Sequence, residues 1–255
     1  MTEVSRVFRL LSALLIVTFC GTLAGTVRPA LAGRNPNAKF VLHLVPFTNR
    51  STCLNGRVEQ PDAITTRGDL SPSKYIAYVL VVDGTPGAGL AGCQFGISYN
   101  DSTNRGVDVL DWTECSLFNW PEQGWPDSGT GNLLTWNQQT DCDTTGIRVV
   151  GYFTLVAHSP DRFSIIVRPA DQKAAVAACK TTNITPDSES LDLIVPENLG
   201  FVDFGGGPGY NPWDPKQNLL KFRSPGFKSP GSREKSEPPA PTPTSGGKKQ
   251  KKNKP

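Results

Sequence analysis

Between Tyr75 and Arg168 the apolar positions come in short runs broken by Gly, Pro, Asn and Asp. In residues 89–99, Ala91, Cys93, Phe95, Ile97 and Tyr99 recur at every second position. That period predicts a half-buried antiparallel strand. In residues 147–158, Val149, Gly151, Phe153 and Leu155 alternate with Val150, Tyr152, Thr154 and Val156. Both faces are apolar, which predicts a central strand covered on both sides. Runs at 39–45, 75–82, 107–112 and 132–137 predict further strands, being rich in β-branched and aromatic residues. Residues 147–158 and 162–168 predict a hairpin around Ser159, Pro160 and Asp161, and 191–195 and 199–204 predict the last strands. One segment, 170–179, is helix-like. Many short strands with regular turn signals predict an all-β fold, an antiparallel β-sandwich.

The two ends of the chain do not share this pattern. Arg6 and Arg9 precede an apolar stretch from Leu10 to Leu23, and Ala30, Leu31 and Ala32 form an A-x-A site. This is the layout of a cleaved signal peptide over 1–32, cut near Ala32. The apolar stretch is short for a membrane span, so no spanning segment is expected after cleavage. From Ser224 onward Pro, Gly, Ser and Lys dominate. Such a segment buries too little apolar surface to offset its ordering entropy and is expected to be disordered. The domain reading is therefore signal peptide 1–32, sandwich 33–215 and basic tail 216–255.

Charge sharpens that division. The tail holds 11 Lys or Arg against 2 Glu, whereas residues 33–215 hold 12 basic and 20 acidic side chains. The body is thus net −8 and the tail net +9. An acidic body lacks the positive surface that phosphates require, so nucleic acid is not an expected partner. Lys248, Lys249, Lys251, Lys252 and Lys254 make the tail an electrostatic attachment point. The partner classes left are a polysaccharide or cell-envelope polymer, or another surface protein. The expected location is secreted, extracellular or cell-envelope.

Five cysteines follow the expected cleavage site: Cys53, Cys93, Cys115, Cys142 and Cys179. An exported chain meets an oxidising compartment, so disulfides are expected, with one thiol left over. A Cys115–Cys142 bridge would close the Trp-, Pro- and Gly-rich insert between them. Cys93 is in phase with Phe95 and Ile97, which marks it as the buried free thiol.

Gly89, Gly92, Gln94, Phe95, Tyr99 and Asn100, followed later by Gly151, Tyr152 and Phe153, resemble the strand motifs of cohesin-like and related carbohydrate-module sandwiches. With Gly124, Trp125, Pro126, Gly129, Gly131 and Trp136 added, the chain also resembles a group of uncharacterised secreted bacterial proteins. The resemblance covers about residues 75–168 and implies a sandwich of jelly-roll or cohesin-like type. A cohesin would imply a dockerin partner and a scaffold role. This chain has a single such unit and departs from cohesins in its cysteines and its Trp-rich insert, so the resemblance carries the fold and not the partner.

No motif specifies a reaction. A hydrolytic triad would have to use His43 or His158, and no G-x-S-x-G elbow is present. The glycine run 205–209 lacks the Lys-Ser/Thr of a phosphate loop. Arg67, Gly68 and Asp69 read as a turn. No cofactor or metal is expected. The main reading is a non-catalytic binding or structural sandwich. One alternative is a carbohydrate-binding module that stacks sugars on Phe118, Trp120, Trp125 and Trp136. Those rings could equally fill a mini-core inside the insert, and Trp136, like Trp112, sits in a strand and is the better core candidate. The other alternative is a glycoside hydrolase using two of Asp108, Asp111, Glu114, Glu122, Asp127, Asp141 and Asp143, which would have to face each other across a cleft.

Overall fold

The computed structural model describes residues 34–102, 104–179 and 191–217. The expected signal peptide and the tail lysines lie outside them. Two β-sheets form the domain. The smaller contains β1 (Lys39–Pro46), β3 (Lys74–Val82), β8 (Arg148–Ala157) and β5 (Val107–Glu114), in the order β1-β3-β8-β5 and antiparallel throughout. The larger contains β2 (Arg67–Gly68), β4 (Gly92–Ser98), β6 (Phe118–Pro121), β7 (Gly131–Thr135), β9 (Asp161–Ile166), β10 (Ala175–Ala177), β11 (Leu191–Leu193) and β12 (Phe201–Phe204). Its path is β11-β10-β4-β9-β12-β2, with β7 on the opposite edge of β4 and β6 outside β7. Only β2 and β12 pair in parallel among the described strands.

The alternation of the sequence explains why the sheets face each other. Phe40, Leu42, Val79, Phe153 and Leu155 from the small sheet meet Cys93, Phe95, Ile97, Phe163 and Val202 from the large one in a single core. Rings interlock across the gap, Phe40 on Phe95 at 5.3 Å and Phe153 on Phe163 at 5.0 Å between centroids. Each fully buried side chain of this size contributes about 1.5–3 kcal/mol. The other face of the small sheet is also covered. Val41, Ile76, Tyr78, Leu80 and Val82 form a second cluster under Val58, Ile64 and Trp213. The two-sided apolar pattern of residues 147–158 therefore reports a strand covered on both sides, with Val149, Tyr152 and Thr154 half-buried on the second, and the all-β sandwich expected from the sequence is the observed fold.

Four local expectations are corrected. Residues 147–158 and 162–168 do not form a hairpin: β8 already has β3 and β5 on its two edges, so the chain crosses the sandwich and β9 pairs with β4 and β12. The helix-like segment 170–179 is not a helix but contains β10, whose Ala175 and Ala177 lie opposite Gln94 and Gly92. Pairing on both edges overrides the weak helical preference of a short alanine run. Arg67 and Gly68 form β2 rather than a turn.

The fourth correction is covalent. Cys115 does not bond Cys142. The bridges are Cys53–Cys115 and Cys142–Cys179, with Cα atoms 5.7 and 6.2 Å apart. The insert needs no closure of its own, because β6 and β7 within it already pair with each other. Gly89, at φ +73°, makes room for the second bridge: a Cβ there would lie 2.2 Å from the Cys142 sulfur. Cys93 is the buried free thiol, as its phase predicts, and burial pushes its pKa far up.

His43 gives the fold a pH dependence. Its Nδ1 accepts the Thr65 N–H at 3.0 Å, and burial lowers its pKa from 6.5. The folded state thus holds the imidazole neutral. The stability it contributes is present above the unfolded value of about 6.5 and is lost as pH falls toward the lower folded value. Thermal melts from about pH 7.5 to 5 should show a falling midpoint, and His43→Asn, which keeps an acceptor, should flatten part of the fall. An unchanged slope in His43→Asn would remove this residue as the cause.

Candidate functional site

The four aromatic residues singled out in the insert divide into two pairs. Trp136 is buried, donates its indole N–H to the Cys115 carbonyl at 2.7 Å and carries the Arg148 guanidinium 4.1 Å above its ring. Trp125 stands edge-on to Trp112 at 5.4 Å and to Phe95 at 5.8 Å. Both therefore pack into the core, as does Trp112 against Phe153 at 4.3 Å. Tyr99 anchors the same loop through its hydroxyl, which donates to the Pro126 carbonyl at 3.0 Å. Burial, with Asp127 and Asp101 nearby, pushes its pKa up to about 12.

Phe118 and Trp120 behave differently. They are 57% and 52% exposed, with ring centroids 6.1 Å apart and planes tilted by 35°. Two residues apart on β6, they point to the same side. The register shows what else lies on that side. Phe118 is opposite Thr135, which is opposite Gly92, then Ala177, then Leu191. Trp120 is opposite Leu133, then Gln94, Ala175 and Leu193. Opposite residues of a ladder share a face. These two rows therefore run across five strands on the outer face of the large sheet.

The rows carry large apolar side chains at both ends. Phe118 and Trp120 form one rim; Leu191 and Leu193, 42% and 61% exposed, form the other. Between them lie Thr135, Gly92 and Ala177 in one row and Leu133, Gln94 and Ala175 in the other, and Gly92, Gln94 and Ala175 are buried. A Cβ on Gly92 would lie 3.3 Å from the Thr135 methyl and 3.5 Å from the Ala177 Cβ, so the floor is filled to backbone level. At about 4.8 Å per strand the rims are roughly 19 Å apart. The ordinary sheet twist makes the surface a saddle rather than a flat table. One end is closed by residues 168–171. Pro169 lies over Gly96 and Gly131, Glu122 accepts the Ala170 N–H at 2.9 Å, and Gln94 donates to Asp171 at 2.8 Å.

The sheet edges beside this face are protected. β6 is four residues long and ends in Pro121, and β11 at the other edge is three residues long. Short edge strands and proline oppose strand addition. The open surface is therefore a sheet face and not a pairing edge.

The acidic residues of this region are largely committed. Asp108 bonds His158 at 2.9 Å, and Asp141 bonds Arg148 at 2.7 Å. Glu122 also accepts the Gly131 N–H at 3.1 Å, with Arg168 at 3.3 Å. Burial works against the Asp143 carboxylate, but the Thr145 hydroxyl and N–H and the Arg57 guanidinium outweigh it and hold its pKa below the ordinary value. Four of the seven carboxylates considered for glycoside hydrolysis thus hold the structure together. Among the described residues no group of three His, Cys, Asp or Glu side chains converges as a metal ion would need, and no helix is long and apolar enough to cross a membrane.

Sequence reading missed Leu191 and Leu193 as surface residues. The stretch Leu191, Asp192, Leu193, Ile194, Val195 is apolar at four of five positions, so it does not say which set faces out. The Asn35 N–H to Asp192 bond, 2.6 Å, draws the polar member inward and leaves the leucines outside.

No family model and no curated protein matches the chain. Among solved structures the chain is similar to cohesin modules. One, from a Clostridium perfringens family 33 glycoside hydrolase, aligns with 64% of this chain and 96% of its own at 10% identity and TM-score 0.36. Another, from Clostridium thermocellum in complex with its dockerin, aligns over 66% and 95% at 10% identity and TM-score 0.37. A scaffoldin cohesin from Acetivibrio cellulolyticus aligns over 55% and 87% at 12% identity and TM-score 0.35. At such scores these neighbours carry no partner and no site to this chain.

Proposed function

We propose that this chain is an exported, non-catalytic binding module that holds a protein ligand against the outer face of its large sheet. One observation carries the proposal: Phe118, Trp120, Leu191 and Leu193, from distant parts of the sequence, are exposed together on one face. Large apolar side chains exposed together on one face of a sheet mark an interaction site. Against hydrolysis, four of the seven candidate carboxylates are held by ion pairs, and Asp111 and Glu114 sit on one strand, β5, rather than facing each other from two strands. The two disulfides fit an oxidising, extracellular setting. One aromatic and one aliphatic rim over a largely apolar floor suit a polypeptide better than a sugar, which needs hydrogen-bonding groups around its ring.

A second reading keeps one favourable observation. The Phe118–Trp120 pair is exposed and only moderately tilted, which would suit stacking against pyranose rings. Trp125 and Trp136, which that reading also needed, pack in the core. An immobilised mature chain, offered a panel of extracellular proteins and polysaccharides, decides between the two. Retention of a protein and not a polysaccharide is expected. Phe118→Ser with Trp120→Ser should weaken that retention about 10-fold or more, as loss of an aromatic anchor does. The same variant should melt within a degree or two of the parent, because both side chains face solvent. Retention of polysaccharides alone would transfer the site to the sugar reading.

A further inference from the structure

The outer face measures roughly 19 Å between its rims and about 10 Å along the strands, on the order of 200 Å². A stable dimer buries about 800 Å² on each partner. The face is therefore too small to be held by a second globular copy and suits a short extended segment. The stretch that carries the aromatic rim is rich in acids, of which Asp108, Glu122, Asp141 and Asp143 are paired with His158, Arg168, Arg148 and Arg57. Residues 101–143 contain eight Asp or Glu and one basic residue, Arg105. At the end of β5, four residues before Phe118, Glu114 is exposed and takes part in no ion pair among the described residues. A fitting segment would be extended, able to lie on aromatic rings, and basic.

The chain itself contains such a segment. Pro238, Pro239, Pro241 and Pro243 are followed by Lys248, Lys249, Lys251, Lys252 and Lys254. Proline-rich segments bind aromatic-lined surfaces because they lose little conformational entropy in doing so. We propose that residues 238–254 of the same molecule occupy the Phe118–Trp120 end of the face, with the prolines on the two rings and the lysines toward Glu114. This rests on the reading of the outer face as the binding surface, and names its resident occupant. Reach is sufficient. Pro238 is 21 residues beyond Gln217, the last described residue. At most about 3.3–3.6 Å per residue gives up to roughly 70 Å, whereas a domain of this size has a radius of gyration of about 16 Å. The opposite charges of body and tail favour the contact, and a linked segment acts at an effective concentration in the millimolar range. An external ligand must displace the tail, and an anionic polymer that captures the lysines frees the face.

Zero-length carbodiimide cross-linking of the full mature chain, mapped by mass spectrometry, tests this. Lysines 248–254 should link to Glu114 within the monomer band. The yield should fall several-fold from about 20 mM to about 500 mM salt, as the Debye length shrinks. It should also fall in Trp120→Ala, and in a variant with the four prolines changed to Ser. Three results would overturn the proposal: links spread evenly over remote acids such as Asp62 and Asp214, links indifferent to Trp120→Ala, or links confined to dimers. If these links are absent but Phe118→Ser with Trp120→Ser still abolishes ligand retention, the tail is not the occupant while the binding face stands. If both fail, the face itself is wrongly assigned.

Discussion

Phe153→Ala will lower the unfolding free energy by about 3–5 kcal/mol, the cost of emptying a ring-sized site in a packed core. Phe153 is fully buried and touches aromatic rings from both sheets: Trp112 at 4.3 Å, Phe163 at 5.0 Å and Trp125 at 5.7 Å. Its removal takes away the surface on which the insert's Trp125 rests. Gly151 cannot relax toward the gap to compensate, because Trp112 already lies against its Cα: a Cβ there would be 2.3 Å from the indole ring. Urea titration followed by tryptophan emission measures the loss. A change below about 1 kcal/mol would mean that the two sheets are not joined through this residue.

The second large effect is covalent. Cys53→Ala with Cys115→Ala should cost about 4 kcal/mol, because that bridge joins residues 62 apart and its absence frees a long loop in the unfolded chain. Cys142→Ala with Cys179→Ala, at a separation of 37, should cost slightly less by the same reasoning. Cys115→Ala with Cys142→Ala removes one partner from each bridge. It should therefore be less stable than either matched pair, and it leaves Cys53 and Cys179 unpaired. A stability for that crossed variant equal to the matched pairs would contradict the observed pairing. Cys93→Ala, which breaks no bond, serves as the control.

Much of the fold was legible because sheet alternation is local. Cys93, Phe95 and Ile97 point into the core as their spacing predicts, and the two-sided pattern around Phe153 correctly marked a strand covered on both faces. The errors share a cause: each concerned which strand neighbours which. Proximity in sequence suggested a β8–β9 hairpin and a Cys115–Cys142 bridge, but β8 had no free edge and Cys115 lies beside Cys53. Short alanine-rich β10 was misread because its strand character comes from β4 and β11 rather than from its own residues.

The candidate site was half legible for the same reason. Its aromatic rim was visible as an insert rich in Trp, although the sequence could not separate Trp120, which is out, from Trp125 and Trp136, which are in. Its aliphatic rim was not visible. Leu191 and Leu193 lie more than 70 positions from Trp120 and meet it only through the register of three intervening strands.

That dependence on register can be tested directly. Whichever ligand the panel retains should be offered to three single variants: Trp120→Ser on one rim, Leu193→Asp on the other, and Leu54→Asp, at a residue 87% exposed and outside the face. The predicted result is that both rim variants lose retention while Leu54→Asp keeps it. Full retention by Leu193→Asp alongside loss in Trp120→Ser would contradict a single continuous face and leave only the aromatic pair.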